Sequence, residues 1–167
     1  RIFQYENEAG IVYLEPNKQK DRIRSGIHLS QADIRNLQIS ECKEANPSIT
    51  FRYTATSNQY GHKTGNRLFI PANVFRKEFS VPPLTKRTYP IHIDYGYTDT
   101  DSIRIQLPEG YVIEGLPKPL DVKSKFGSFH SDIQVKDRKI CIVHRLFMSK
   151  GVYSPDEYAA FIDFRKQ

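Results

Sequence analysis

Residues 49–56 read Ile-Thr-Phe-Arg-Tyr-Thr-Ala-Thr. Ile49, Phe51, Tyr53 and Ala55 fall on one side of an extended chain, and Thr50, Arg52, Thr54 and Thr56 on the other. A strict period of two among β-branched and aromatic residues predicts a strand with one buried side. The stretch before it, 34–42, is ambiguous. Ser30 and Asp33 fit a helical capping box, yet Leu37 and Ile39 alternate, and the alternation favours a strand.

The clearest unit is 127–149. A turn at Asp137-Arg138 sets Phe129 opposite Leu146, Ile133 opposite Ile142 and Val135 opposite Ile140, with Met148 extending the same side. One face of this hairpin reads as a continuous apolar strip, the single buried side of an antiparallel sheet. The other face carries His130, Asp132, Gln134, Cys141, Val143, Arg145 and Phe147, a mixed surface. A second hairpin is predicted upstream, where Ile103, Ile105 and Leu107 alternate, Pro108-Glu109-Gly110 supplies a turn and Tyr111-Val112-Ile113 returns. Leu116-Pro117-Lys118-Pro119 is too rich in proline for a central strand and reads as an extended crossover into a short strand at 120–125.

Between 57 and 90, Gly61, Gly65, Pro71, Pro82, Pro83 and Pro90 break any regular element, and only Leu68–Ile70 looks extended. A connection this long is uncommon and often contacts a partner or a neighbouring domain. One helix is well signalled, at the end of the chain. Ser154 can act as N-cap, Pro155 suits the first helical position and Glu157 completes the capping box. Tyr158, Phe161 and Ile162 follow at helical spacing, and Arg165 and Lys166 suit the negative end of the dipole. Short strands separated by turns, without helices between them, predict a mainly β fold: an antiparallel β-sandwich with one C-terminal α-helix capping an open end.

Composition narrows the function more than it identifies it. Hydrophobic residues make up 38% of 167, but ten Tyr and ten Phe offer large apolar areas for a core. No apolar run approaches the length that spans a bilayer, so no membrane insertion is expected. The first residue is Arg1 and not Met, which reads as an excised piece or processed product, so a missing leader says nothing about compartment. The net charge of +6 is concentrated. Residues 61–90 hold Lys63, Arg67, Arg76, Lys77, Lys86 and Arg87 against Glu78 alone. These six basic residues are the candidate partner-docking set. A basic stretch also fits nucleic acid, but no recognition motif accompanies it, so a solvated loop or a face that docks on an acidic neighbour is the preferred reading.

Chemistry-bearing residues are few. Cys42 and Cys141 make no disulfide framework, and two unpaired residues in or near the core are expected. His28, His62, His92, His130 and His144 show no metal-ligand spacing, and no Cys/His cluster fits zinc. Cys141 and His144 fall on opposite sides of one strand and cannot form a dyad. The stretch from Asp94 to Asp101 offers more. Asp94, Asp99 and Asp101 could ligate calcium through oxygen, and Tyr95 and Tyr97 could stack on a sugar. A carbohydrate-binding module is therefore the alternative function, against an ordinary Asp/Thr turn. No phosphate-cradling, serine-nucleophile or zinc-protease motif is present, so no catalytic residue, metal or cofactor is assigned.

Thr64-Gly65-Asn66-Arg67-Leu68-Phe69-Ile70-Pro71, then Arg87 and Pro90, Leu107-Pro108-Glu109-Gly110-Tyr111, Leu116-Pro117, Phe126-Gly127-Ser128-Phe129, Gly151 and Tyr158 occur in that order. This series resembles the C-terminal domain of unknown function that follows a transglutaminase-like core in bacterial multidomain proteins. The resemblance implies a β-sandwich accessory domain over residues 31–167. Residues 1–30 would be an entering segment, a tail of the preceding core or an added strand carrying Tyr5, Val12, Tyr13 and Leu14. It also implies that the Cys-His-Asp machinery lies upstream, that the neighbouring domains are the partners, and that the parent protein is exported to the periplasm or cell envelope.

Overall fold

The computed structural model describes residues 2–75 and 87–166 and is mainly β, with antiparallel sheets and a helix at its C-terminal end. The chain divides into two compact units, Arg1–Lys77 and Glu78–Gln167. No helix among the described residues is long and apolar enough to cross a membrane.

The first unit opens with helix α1 (Ile2–Ala9), a 3₁₀ turn at Gly10–Tyr13 and helix α2 (Pro16–Arg24). These residues are helical, not an added strand. Pro16 sits in the first turn of α2, where its missing N–H costs nothing. Gln19 Nε2 donates to the Ile11 carbonyl at 3.1 Å, and Arg24 Nε donates to the Ala32 carbonyl at 2.9 Å, tying α2 to its flanks. Strands β1 (Asp33–Cys42) and β2 (Ser48–Thr56) then pair antiparallel. In β2 the alternation is as expected, with Ile49, Phe51, Tyr53 and Ala55 half-buried and every residue between them exposed.

The ambiguity of β1 has a structural cause. The register shifts between Arg35 and Gln38, where Asn36 takes φ +52°. This bulge inserts an extra residue and switches the parity of the inward positions. Ile34 faces Ala55 before it and Ile39 faces Phe51 after it, so an even and an odd residue share one side. Ile27, Ile34 and Val74 form the centre of this unit, with Ile23, Leu37, Tyr53 and Tyr60 around them. Two three-residue strands, β3 (His62–Thr64) and β4 (Arg67–Phe69), form a small hairpin whose turn uses Gly65 at φ +58°.

The second unit contains β5 (Ile91–Ile93), β6 (Tyr97–Gln106), β7 (Leu120–Ser124), β8 (Gly127–Lys136), β9 (Lys139–Met148), β10 (Gly151–Tyr153) and helix α3 (Tyr158–Arg165). Four strands form one sheet in the order β6-β9-β8-β7, and β5 pairs with β10 as a ribbon. The β8–β9 hairpin has the expected register, Phe129 opposite Leu146, Ile133 opposite Ile142 and Val135 opposite Ile140. Its turn residues Asp137 and Arg138 take φ +48° and +60°, the double left-handed geometry whose twist matches the flanking strands.

The predicted hairpin at 103–113 does not form. β6 pairs instead with β9 along its whole length, Ile103 meeting Ile142 and Ile105 meeting Ile140, while residues 107–119 carry no strand. The free edge of β9 offers a ten-residue ladder with two rows of facing isoleucines. The local return offers three residues, among which Val112 is 90% exposed.

Phe126, Phe129, Met148 and Phe164 form the core of this unit, joined by Ile93, Tyr97, Val122, Leu146, Tyr153 and Phe161. The ribbon and the helix thus pack on one face of the four-stranded sheet, a sandwich-like arrangement. Phe126 meets the Tyr153 and Phe161 rings edge-on, at 4.8 and 5.4 Å between centroids. Helix entry uses the expected capping box, in which Glu157 Oε2 accepts from the Ser154 amide at 3.1 Å through a short 3₁₀ turn, Pro155–Glu157.

Candidate functional site

Of the six basic residues, Lys63 and Arg67 lie in the first unit and Arg87 in the second. Lys63 lies opposite Leu68 and Arg67 opposite Thr64, so adjacent rungs send the two cations to opposite faces of the β3–β4 hairpin. Arg87 is turned onto its own chain. Its Nε donates to the Tyr89 carbonyl at 2.8 Å, an Nη donates to the Pro90 carbonyl at 3.2 Å, and its guanidinium lies 5.0 Å from the centre of the Tyr158 ring. It fastens the entry of the second unit to the start of α3, a packing role that charge counting does not reveal. Arg76, Lys77 and Lys86 lie outside the described residues.

From Tyr97 on the Tyr/Asp stretch is strand and not turn, while Asp94, Tyr95 and Gly96 make the bend between β5 and β6. Tyr95, between β5 and β6, is 57% exposed. Tyr97 begins β6, packs against the core cluster, and its hydroxyl accepts from Arg165 Nη1 at 2.7 Å. The two tyrosines therefore form no flat stacking row. Asp99 and Asp101 share the face of Tyr97, opposite Leu146 and His144, drawn into line by the β9 ladder. No group of three or more His, Cys, Asp or Glu side chains converges on a metal position among the described residues.

That face is not the unbroken apolar strip expected from the hairpin. Ser131 and His144 lie directly opposite each other on β8 and β9, and Asp101 lies opposite His144 on β6. Acid, imidazole and hydroxyl thus stand in one row across three adjacent strands. Ser131 is buried, with 7% of its surface exposed, and the His144 ring sits 5.8 Å from that of Phe129. Asp101 and His144 are half-buried, and both side chains are engaged. The residue order is that of a serine nucleophile with its base and orienting acid. A nucleophile must meet a substrate, however, and Ser131 lies within the packed face of its sheet, so the row is a line of polar residues set into a largely apolar face.

The other face of the sheet is built differently. Phe147, 43% exposed, stands on the central strand β9 with Val143 and Cys141, both half-buried, and with Arg145. Beside Arg145, His130 Nδ1 lies 3.1 Å from Asp121 Oδ2 at the surface. Cys141 and His144 do lie on opposite faces. Both cysteines are unpaired, but Cys42 is exposed, since it ends β1 on the outward side of the bulge.

A further titratable cluster pins α1 to the first unit's hairpin. The Tyr5 hydroxyl donates to Glu41 Oε1 at 2.5 Å, and Lys43 bridges Glu41 at 3.2 Å and the Tyr13 hydroxyl at 3.3 Å. The Tyr5 bond holds the Glu41 carboxyl below its ordinary range and raises the phenol of Tyr5. Burial raises the phenols of Tyr53 and Tyr60.

Residues 66–167 match the family model described as Domain of Unknown Function with solved-structure structure (DUF3858). No curated protein and no solved structure matches the chain.

Proposed function

Since the chain belongs to the DUF3858 family of domains of unknown function, we propose for it a non-catalytic role, as an accessory domain that packs against or follows a transglutaminase-like core in a bacterial envelope protein. The observation that carries this reading is the face of the four-stranded sheet turned away from α3. There Cys141, Val143 and Phe147 run along the inner strand β9 with Arg145 between the last two, and Arg104 and the His130–Asp121 pair stand on the strands alongside. An exposed aromatic ring in an apolar line flanked by polar and cationic side chains is the make-up of a protein-docking surface. Sugar binding is weakly supported, because Tyr97 spends its ring and hydroxyl on internal contacts.

Cys141 reports on this face without any new label site. In a Cys42→Ser background, its rate of modification by a maleimide would be compared between the isolated chain and the product of the complete reading frame. Docking predicts at least roughly a tenfold slower reaction in the longer protein, and Phe147→Glu should restore the faster rate. Equal rates would remove this face as the docking surface. An upstream reading frame without a transglutaminase-like core would remove the proposed context while leaving the surface itself open to another neighbour.

A further inference from the structure

Resting on the docking face just described, we infer that its partner is an acidic protein surface, held by cations sorted onto that side of the four-stranded sheet. Register and alternation place Arg104 of β6, Lys139 and Arg145 of β9, Lys136 of β8 and Lys123 of β7 there, and all five are exposed. Residues 91–167 carry eleven Lys and Arg against eleven Asp and Glu. Five of those cations but only two of the acids, Asp121 and Asp132, stand on this face. The fold therefore separates charge that the composition balances.

Folding does not account for the arrangement. Lys136 and Lys139 lie directly opposite each other at the turn end of the β8–β9 ladder, a like-charge pair that costs stability. Arg104 stands in the next row of the same face. No ion pair joins any of the five cations to an acid among the described residues. The two acids are engaged elsewhere: His130 Nδ1 lies 3.1 Å from Asp121 Oδ2, and Gln134 Nε2 donates to Asp132 Oδ2 at 2.9 Å. A partner's carboxylates supply the counter-charge, while Phe147, 43% exposed, and Val143 offer apolar contact.

The same features choose among partners. A second copy of this face would set cation against cation. A nucleic-acid strand is held by a cationic track with aromatic rings on which successive bases stack. Here Phe147 is the sole Phe or Tyr on the outer side of the four strands, and Asp121 and Asp132 interrupt the track.

The test follows modification of Cys141 by N-ethylmaleimide, an uncharged reagent, in the isolated Cys42→Ser chain. The probe is a glutamate-rich peptide with one central leucine. At about 1 mM peptide, where even a millimolar Kd fills half the face, the rate should fall at least about twofold. Raising salt from about 0.1 M to about 1 M shortens the screening length from about 10 Å to about 3 Å and should restore the rate. Arg145→Glu should remove the slowing relative to its own peptide-free rate. Lys118→Glu, the same charge change in the 107–119 segment, should leave it intact. No slowing, slowing indifferent to salt, or equal slowing in Arg145→Glu would overturn the proposal, and so would an oligothymidylate of equal charge acting as strongly as the peptide. Should Arg145→Glu fail to fold, the salt dependence decides. The product of the complete reading frame separates this inference from the docking reading beneath it. Protection of Cys141 there that persists at about 1 M salt keeps the face and rejects an acidic partner. No protection there, with the peptide still slowing the isolated chain, rejects the neighbouring domain and places the acidic partner on another chain.

Discussion

Gly127 is where the geometry of the second unit is least forgiving. β7 and β8 are joined by the two-residue turn Lys125-Phe126. Neither turn residue has positive φ, unlike Asp137 and Arg138 in the next hairpin. Turns of that hand splay the strands they join, and the mismatch is taken up at Gly127, which adopts φ +149°. A Cβ placed there would overlap the Phe147 carbonyl oxygen and lie 3.1 Å from Met148 Cα. Both are backbone atoms of the central strand and cannot swing aside. Gly127→Ala must therefore open the β8–β9 ladder at its end and draw Phe126, 1% exposed, away from the Tyr153 and Phe161 rings.

The strained backbone costs about 1–3 kcal/mol, and losing the packing of a buried phenylalanine about 3–5 kcal/mol when complete. Partial relaxation leaves a total of about 3 kcal/mol. Stability at roughly 0.05–0.15 kcal/mol per residue gives about 5–13 kcal/mol for some ninety residues, so the loss is a large share. With a urea slope of about 1.5 kcal/mol per molar, the midpoint should fall by about 2 M. The methyl group of Met148, the sole methionine and a core residue, reports on unfolding of this unit directly. Gly115→Ala is the control, because nothing lies within 4 Å of the added carbon. A Gly127→Ala midpoint within about 0.3 M of that control would refute the reasoning, since that gap is below 1 kcal/mol.

Arg138 holds φ +60° in the β8–β9 turn, where a side chain is strained, so Arg138→Gly should stabilise by about 0.5–1 kcal/mol and raise the melting temperature by a few degrees. Its exposed ion pair with Glu109, at 3.8 Å, offsets little, and a lower melting temperature would contradict the turn geometry. Tyr5→Phe should lower the melting point of the first unit between about pH 5 and pH 9. The Glu41 carboxyl is depressed in the fold, so its share of stability is present above the ordinary carboxylate value and lost as pH falls through the folded one. The raised Tyr5 phenol adds stability below its ordinary value that is lost as pH rises through the folded one. The gap between variant and wild type should therefore close in acid, and a gap unchanged at about pH 2.5 would exclude the Tyr5–Glu41 bond as its source.

What could be read from the chain tracks how local each interaction is. The β8–β9 hairpin and the capped helix were legible to the residue, because turn, register and cap all lie within a short span. β6 was legible as a strand but not in its pairing. Ile103 and Ile105 fit either a local return or the edge of β9, and only the longer ladder decides between them. The helix α2 was missed because Ile23 is the one apolar residue after its opening proline, which leaves no stripe to detect. Arg87 was visible as a charge, yet its role depends on Tyr158, which arrives at the far end of the unit. Asp99 and Asp101 have turn composition and were drawn into a strand by a partner more than forty residues away.

The polar row is the most instructive omission, because part of it was already implied. A turn that sets Ile133 opposite Ile142 must set Ser131 opposite His144. Period counting assigns a face by its majority and passes over the exceptions. Those exceptions have a consequence that the isoleucines cannot supply. A slip of β6 by two residues along β9 would preserve which side every residue faces, and would simply exchange one isoleucine contact for another. The same slip would place Ile103 or Asp99 against His144 and Asp101 against Leu146 or Ile142, moving the half-buried Asp101 from a polar to an aliphatic neighbour across the ladder. A half-buried carboxylate set against an aliphatic side chain is costlier than one apolar contact exchanged for another. Asp101 and His144 thus make one register of the β6–β9 ladder distinct from its neighbours, which holds Tyr97 beside Arg165 and keeps the core of the second unit closed under α3.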